Sequence, residues 1–563
     1  MKRIIFLITF LGMMSCAFGK PAKRPETPNY KKGIEYLEQK DYSNAYESFY
    51  KDVKENPKSG YSHYWMGYIL ARYNEYGRAL NMMGEALKFI PSADVPFIES
   101  IYNTRSYIYL EMEDTVKALA DLNMGIKKCP SSTVLYEKRA DIYFYQSNYS
   151  QSDADYKKIL SLKPGSVIAY MGLGRNLLEK EKYDEAIKQF DYAASLDNSY
   201  PEAYAFKAAA YKKQKKYDEA TENIISALLL NSEQRKAVNL MLTMPDDAYQ
   251  MMASKLKVQM MKNPEDAHWP FYIGEIYEVN NEFKTALPYY DKAISKEFSA
   301  VIARRFYYCY KKLGHVENAM KYIDLALKLD TTNVEDLGSK AGLYADMYKM
   351  DKAMEVIDQL VKKAPDNSYS YRKRAEFKIK MKQYEDAIED LSMAITLSPS
   401  AIHAYSSRGR CYEKLGKKEL AKKDFNKLLE LDPDGNTSSH AYVLLFLGKN
   451  EEAKAAFKKM IEDPELNQAS SYYNNACYYS LIGEKQEAIN CLKKALEKGF
   501  RSFHHMETDW DLDNIRDMQE YKSLVSEYKK ILEQEIKELD KMKSPINIDE
   551  QLKAKEEELN SKK

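Results

Sequence analysis

The sequence predicts an all-α chain, a solenoid of about fourteen tandem helix–turn–helix units followed by a C-terminal capping helix. A small residue recurs in one register along almost the whole length. Apolar and aromatic positions keep step with it, and a proline often follows at a fixed distance. The small residues are Ala45, Ala79, Ala118, Ser152, Ala186, Ala220, Ala253, Ala286, Ala319, Ala353, Ala387, Ala421, Ala453 and Ala488, in steps of 32 to 39 residues. A fixed period of this length means stacked copies of one supersecondary unit, not a globular enzyme.

Within each unit the spacing is helical. Twelve residues before the small residue stands another small one, such as Gly33, Gly67, Gly174, Ala208, Gly274, Ala375 or Gly409. Nine before it stands a tyrosine, such as Tyr36, Tyr109, Tyr143, Tyr211, Tyr310 or Tyr412. Four after it stands a large apolar residue, such as Phe49, Leu122, Tyr156, Phe190, Ile357 or Phe425. These intervals predict two amphipathic helices per unit. The small residues let the helix backbones approach and the large ones fill the space beside them. A proline twelve residues after the small position (Pro57, Pro91, Pro130, Pro164, Pro365, Pro399, Pro433) closes the second helix, because it cannot continue the hydrogen-bond ladder. One hairpin cannot bury its apolar face alone, so stacking makes the core continuous.

The pattern resembles the tetratricopeptide repeat, W-x2-L-G-x2-Y, then A-x3-F, then P. It is clearest at Tyr170-Met171-Gly172-Leu173-Gly174 with Ala186 and Phe190, and at Tyr405, Gly409, Tyr412, Ala421, Phe425 and Pro433. The resemblance covers roughly Asn29 to Phe500, with tyrosine (Tyr204, Tyr371, Tyr472) mostly replacing the family's tryptophan. It implies a right-handed superhelix whose inner wall is built from the first helix of each unit. On that wall it places Tyr64, Tyr68, Asn103, Tyr107, Arg175, Arg304, Tyr308, Arg372, Glu376 and Arg410 as partner-binding candidates, alongside Met171, Glu413, Tyr442 and Tyr473. Tyrosine and arginine supply much of the binding energy at interfaces, and arginine grips carboxylates with two parallel hydrogen bonds. The family's chaperone clamp, lysine and then asparagine four residues later, is missing: the equivalent pairs are Met171/Arg175, Arg304/Tyr308, Arg372/Glu376 and Ser406/Arg410.

Two units depart from the pattern. Five extra residues between Ala79 and Ala118, around Pro91 to Pro96, predict a longer loop. In 232–266 Met241 stands at the small position, Pro245 near the first helix's end, and Lys257 at the large apolar position. Either a bend between two sub-arrays (29–231 and 267–500) or a tolerated poor repeat accounts for it.

The first nineteen residues read as an export signal: Lys2 and Arg3, an apolar run from Ile4 to Met14, then Ser15, Ala17 and Gly19. Two processing routes compete. Cleavage after Gly19 frees a periplasmic or envelope protein; lipidation at Cys16, in a segment resembling a bacterial lipobox without its usual leucine, tethers it to a membrane. Residues 20–28, with Pro21, Pro25 and Pro28, form a stiff linker. The Ile4–Met14 run is too short to span a bilayer as a permanent anchor, and no 18-residue apolar stretch stands elsewhere.

With 85 Lys plus Arg against 84 Asp plus Glu, the chain lacks the positive excess that phosphate neutralisation needs, so no nucleic-acid partner is expected. The cysteines (Cys16, Cys129, Cys309, Cys411, Cys477, Cys491) show neither C-x-x-C nor regular spacing, and read as buried small hydrophobes. Only Cys477 and Cys491 share a unit closely enough for a bond to be conceivable.

Residues 501–543 read as cap helices. Trp510-Asp511-Leu512-Asp513-Asn514-Ile515-Arg516 resembles the closing element of bacterial tetratricopeptide arrays. A stripe of Tyr521, Leu524, Val525, Tyr528, Ile531, Leu532, Ile536 and Leu539 predicts a helix that seals the last repeat. A partner-docking helix is the alternative. Residues 544–563 form a charged tail.

Catalytic signatures are missing: there is no H-E-x-x-H, G-x-x-x-x-G-K-[ST], G-x-S-x-G or D-[ST]-G. His504-His505 with Glu507 and Asp509 is the densest group of metal-ligand types, but adjacent histidines on regular structure point apart. No catalytic residue, cofactor or metal is expected. The sequence supports a non-enzymatic protein-binding scaffold of a bacterial cell envelope. The alternatives are the targeting portion of an enzyme and a glycan-binding envelope protein.

Overall fold

The computed structural model describes residues 25–435, 437–462 and 468–541. The expected signal 1–19 with Cys16, residues 20–24 of the linker and the tail 544–563 lie outside the described residues. The described residues contain helices and turns and no strand. The chain divides into two compact units, Met1–Ala248 and Tyr249–Lys563.

In the first unit, hairpins pair α1 (Pro28–Glu38) with α2 (Tyr42–Glu55), α3 (Gly60–Arg72) with α4 (Tyr76–Phe89), and α5 (Val95–Glu111) with α6 (Thr115–Lys128). They continue with α7 (Thr133–Tyr145) and α8 (Tyr149–Leu162), α9 (Val167–Glu179) and α10 (Tyr183–Leu196), and α11 (Pro201–Lys213) and α12 (Tyr217–Leu230). A short α13 (Arg235–Leu242) ends this unit. The second unit opens with α14 (Tyr249–Lys262). It then pairs α15 (His268–Val279) with α16 (Phe283–Lys296), α17 (Ala300–Lys312) with α18 (Val316–Leu329), and α19 (Glu335–Asp346) with α20 (Met350–Lys363). Next come α21 (Ser368–Lys380) and α22 (Tyr384–Leu397), α23 (Ile402–Lys414) and α24 (Lys418–Leu431), α25 (Ser438–Phe446) and α26 (Asn450–Glu462), and α27 (Ala469–Leu481) and α28 (Lys485–Glu497). After the last hairpin come α29 (Phe503–Thr508), a 3₁₀ turn (Trp510–Leu512), α30 (Asp513–Arg516) and α31 (Gln519–Asp540).

The periodic small residues are the points of closest helix approach. Ala45, Ala79, Ala118, Ser152, Ala186, Ala220 and their successors are buried. The earlier small position faces the ring four residues after the later one. A Cβ on Gly33 would lie 2.6 Å from Phe49, one on Gly174 2.4 Å from Phe190, and one on Gly409 2.4 Å from Phe425. Between neighbouring hairpins a Cβ on Gly172 would meet the Tyr156 ring at 2.2 Å. The rings are pressed onto bare backbone, so close packing leaves no room for one more carbon.

The turn inside each hairpin has a second periodic feature, five residues before the small position. There the backbone is left-handed, at Lys40, Asn74, Glu113, Ser147, Glu181, Lys215, Asn281, Gly314, Tyr348, Lys382, Gly416, Gly448 and Gly483. This residue ends the first helix and reverses the chain. Every hairpin has it; between α13 and α14, at the boundary of the two units, the equivalent residue is Ala248. The division between the two units falls there, inside 232–266. Met241 is buried at its small position, and Lys257 lays its stem beside Tyr277, whose hydroxyl its ammonium meets at 2.9 Å.

The extra residues before Ala118 do not form the expected long loop. They lengthen α5 to 17 residues, where most first helices have 13. Pro96 sits in its first turn, where a missing N–H costs no hydrogen bond. The cysteines Cys129, Cys309, Cys411, Cys477 and Cys491 are buried free thiols, so Cys477 and Cys491 form no bond.

A leucine at Ala186 must displace neighbouring side chains; A186L is expected to lower stability in denaturant melts by about 1–3 kcal/mol, and no change would mean the helices do not meet there. Lys382 holds a left-handed conformation that a Cβ disfavours, so K382G is expected to raise stability by about 0.5–1 kcal/mol, read in the same melts.

Candidate partner-binding walls

Side chains along the first helices form two columns, eleven and fifteen residues before the periodic small residue. The first contains Tyr68, Tyr107, Asp141, Arg175, Glu275, Tyr308, Glu376, Arg410, Tyr442 and Cys477; the second contains Tyr64, Asn103, Met171, Arg304 and Arg372. The candidates read from the sequence, apart from Glu413, belong to these columns, and the structure treats them differently.

In the first unit Tyr64 is not a wall residue. It is 1% exposed, packs edge-on against Trp65 and Phe97 with centroids 4.8 and 5.0 Å away, and meets Ser100 Oγ at 2.6 Å. It fills space between hairpins because the neighbouring aromatic residues close over it. Met171 is buried in the same way. Tyr68, Asn103 and Tyr107 are half-buried. Burial, reinforced by Glu111, pushes the Tyr107 phenol up to about 12. The Arg175 guanidinium lies over the Phe144 ring at 4.4 Å and the Phe206 ring at 5.9 Å, and its nearest carboxylate, Asp141, is 3.6 Å away.

In the second unit Arg304 and Tyr308 come together with Glu278, Arg305, Glu335 and Asp336 around a cavity of about 490 Å³ on α15, α17 and α19. Arg304 donates to Asp336 at 2.9 Å and to Asp330 at 2.6 Å. Arg305 binds Glu275 and Glu278, the latter at 3.0 Å. Burial raises the Glu275 carboxyl, against the attraction of Arg305. Tyr308 is 39% exposed and offers its ring at the rim. Arg372 stands over the Tyr369 ring at 5.4 Å and has no hydrogen-bond partner among the described residues.

Arg410 does not face an open groove, and Glu376, whose side chain is 44% exposed, is engaged by neighbouring lysines. Lys373, 2.9 Å away, and Lys380 hold the Glu376 carboxyl below the usual carboxylate range. The cap reaches the same stretch of wall. Arg410 binds the Asp511 carboxylate and lies 4.6 Å from the Trp510 ring, with Phe446 at 5.3 Å and Tyr442 at 5.8 Å. Trp510 also meets Tyr384 at 5.7 Å and the Lys414 ammonium at 5.0 Å. Asp509 accepts from the Tyr473 hydroxyl at 2.8 Å, and Phe500 stacks on the Tyr473 ring at 4.3 Å. Arg410 therefore anchors the chain's own C-terminal segment.

That segment reaches farther than the last repeat. Its end seals α27 and α28 as expected, with Leu512, Ile515, Tyr521 and Val525 buried against them. It also runs back along earlier hairpins: His504 meets the Tyr348 ring edge-on at 4.9 Å, Glu507 binds the Tyr348 hydroxyl, and Asp540 lies 2.8 Å from His315 Nε2. One segment thus touches hairpins from α17–α18 to α27–α28.

His504 and His505 turn to different partners, Tyr348 and Tyr473. Among the described residues, the thiol and carboxylates that come within 4.8 Å of one another are those of Cys477, Asp509 and Asp511. Tyr473 and Arg410 already engage the two carboxylates, and burial pushes the Cys477 thiol well up, so the group serves to anchor the cap.

The sequence reading missed a repeated ion pair. Thirteen residues before the small position an arginine forms two parallel hydrogen bonds to an aspartate three residues after it. Arg105–Asp121, Arg139–Asp155, Arg374–Asp390 and Arg408–Asp424 all do this at 2.6–2.9 Å. The same guanidinium reaches the preceding hairpin: Arg139 to Asn123 at 2.6 Å and Arg408 to Ser392 at 3.0 Å. The sixteen-residue Arg–Asp spacing, repeated in phase, was the available signal.

With this geometry in view, the chain carries tetratricopeptide repeats in both units. Residues 137–201 and 171–234 match one tetratricopeptide repeat family, and 308–333, 402–434 and 469–497 match a second of the same description. Over 83 residues, 14% of this chain, it is 31% identical to a chloroplastic protein of Arabidopsis thaliana; the matched stretch spans 25% of that protein's length. Similar solved structures include the APC/C hetero-tetramer Cut9-Hcn1 (13% identity, 83% of this chain and 96% of that one, TM-score 0.32). MamA is also among them (23% identity, 29% and 95%, TM-score 0.26), as is Naa15/Naa10 bound to HypK-THB (13% identity, 92% and 97%, TM-score 0.31). TM-scores this low carry no functional argument. Repeat scaffolds of this architecture typically serve protein–protein interaction, and no helix among the described residues is long and apolar enough to cross a membrane.

Burial pushes the Asp511 carboxyl up to about 6, against the pull of Arg410; an unfolded aspartate titrates near about 3.9. The folded state therefore holds this proton more tightly. The resulting stability is full below pH ~4 and is lost as pH rises through ~6. Melting midpoints of the wild type are expected to fall relative to those of D511N between pH ~4 and ~6.5; parallel profiles would remove Asp511 from the account.

Proposed function

We propose that this protein is a non-enzymatic scaffold of a bacterial cell envelope that holds protein or peptide partners on its first-helix walls. The observation that carries the reading is the content of those walls. Half-buried Tyr68, Tyr107, Arg175 and Arg372 and exposed Tyr308 stand at recurring positions on the first helices of several hairpins, and each pairs a broad apolar surface with directional donors, the combination that anchors interfaces. Periodic spacing presents them at regular intervals, which suits an extended peptide or a partner's helix.

The cellular placement rests on the residues near the start of the chain. Lys2 and Arg3, the apolar run Ile4–Met14 and the small residues that follow support export. Periplasmic release after Gly19 and tethering through a lipidated Cys16 are the two routes to the envelope. Mass spectrometry of the mature N-terminus separates them: a free residue 20 supports release, a diacylglycerol adduct on Cys16 supports the tether, and an unprocessed Met1 defeats both.

Photo-crosslinking residues placed at Tyr107, Tyr308 and Arg372 in the full chain, in its native cells, test the walls. Recovery of a reproducible set of proteins is expected. Equal recovery from control positions on second helices, such as Lys188 and Lys422, would show that the walls hold no partner.

A further inference from the structure

The contact between Arg410 and the cap shows which side chain this kind of wall accepts. Arg410 stands eleven residues before Ala421, directly after Gly409. Its guanidinium lies among the rings of Tyr442, Phe446 and Trp510 and binds the Asp511 carboxylate. The occupant is thus an aspartate that follows an aromatic residue: the carboxylate meets the charge and the indole covers the guanidinium. Asp509, two residues earlier, continues along the same column to Tyr473 and Cys477.

Arg175 occupies the equivalent place in the first unit. It stands eleven residues before Ala186, directly after Gly174, and lies over Phe144 and Phe206. Its environment differs in one respect. Arg175 makes no hydrogen bond among the described residues. Asp141, 3.6 Å away, already accepts from the Tyr156 hydroxyl at 2.9 Å. The next member of the column is Ala209, whose methyl offers the guanidinium nothing. A second cation stands beside the same ring: the Lys236 ammonium lies 4.2 Å from the Phe206 centroid and has no ion-pair partner among the described residues. Burial and the neighbouring Arg175 charge push that ammonium below its ordinary range, with Glu179 opposing weakly. Another acid of this region, Glu137, is pushed by burial toward its neutral form. Two cations sharing one aromatic ring repel each other unless an anion joins them, and a guanidinium flanked by rings is prepared for a carboxylate.

We propose that Arg175 and Lys236, both beside the Phe206 ring, form a carboxylate-reading site for an acidic partner peptide in which an aspartate follows an aromatic residue. The site deepens the scaffold reading and rests on it, since it names the chemistry of one segment that the first wall takes. The cap segment, bound to the second unit's wall, is the internal example of such a ligand.

The test uses the full chain and a fluorescently labelled synthetic peptide copying Met506–Arg516 (METDWDLDNIR). Fluorescence anisotropy is expected to show saturable binding that weakens as salt is raised. R175Q and K236Q keep much of each apolar stem, and each is expected to weaken binding by about tenfold or more, with helix content by circular dichroism unchanged. A peptide with asparagine for its three aspartates is expected not to bind. Binding that R175Q and K236Q leave intact, or that the asparagine peptide matches, would overturn the assignment, as would no binding at about 1 mM peptide. If the wall crosslinks persist while the peptide test fails, the scaffold reading stands and only this site falls.

Discussion

Everything in this fold depends on a ring pressed against bare backbone. In hairpin after hairpin the large residue of the second helix lies on the small residue of the first, closely enough that a single added carbon at Gly33, Gly174, Gly274 or Gly409 would overlap the ring. That contact sets the distance between the two helices, and repeating it sets the distance between hairpins. Its value lies in density: close packing holds each side chain in one place, so the residues on the opposite face of the first helix keep a fixed spacing. The wall is regular because the core behind it is.

The paired arginines and aspartates add direction to this packing. A hydrophobic contact is non-directional, but a guanidinium held by two parallel hydrogen bonds has one orientation. Arg139 and Arg408 each bind an aspartate in their own hairpin and a polar group in the one before. They fix how far one hairpin turns against the next. The junction between α13 and α14, with no left-handed turn residue, is where the chain separates into two units. A break in the local turn chemistry coincides with the boundary between the units.

The two walls differ in what stands against them. In the second unit the cap runs along hairpins from α17–α18 onward and satisfies Arg410 with its own Asp511. The residues left over there are the ion-paired cluster around Arg304 and Tyr308 and the unbonded Arg372. In the first unit Arg175 holds the equivalent position with the Asp141 carboxylate 3.6 Å away, already accepting from Tyr156, and a second cation nearby. Equivalent repeat positions thus serve as a structural anchor in one unit and as candidate binding surface in the other. The difference comes from which segment of chain lies opposite.

The sequence by itself determined the helical hairpins, their number and register, the small and large residues of the core, and the existence of a cap, because each is written in the spacing of neighbouring residues. The Arg–Asp pairs were legible in the same way, at a spacing of sixteen. Tyr64 and Arg410 show where that legibility ends. Both fall at wall positions by register, yet one is enclosed by Trp65 and Phe97 and the other is bound by Asp511, one hundred and one residues away in the chain. Whether a wall residue is covered depends on contacts between distant segments, and periodicity carries no record of those. Only the tertiary structure decided that the cap, as well as closing the end of the stack, reaches back across earlier hairpins.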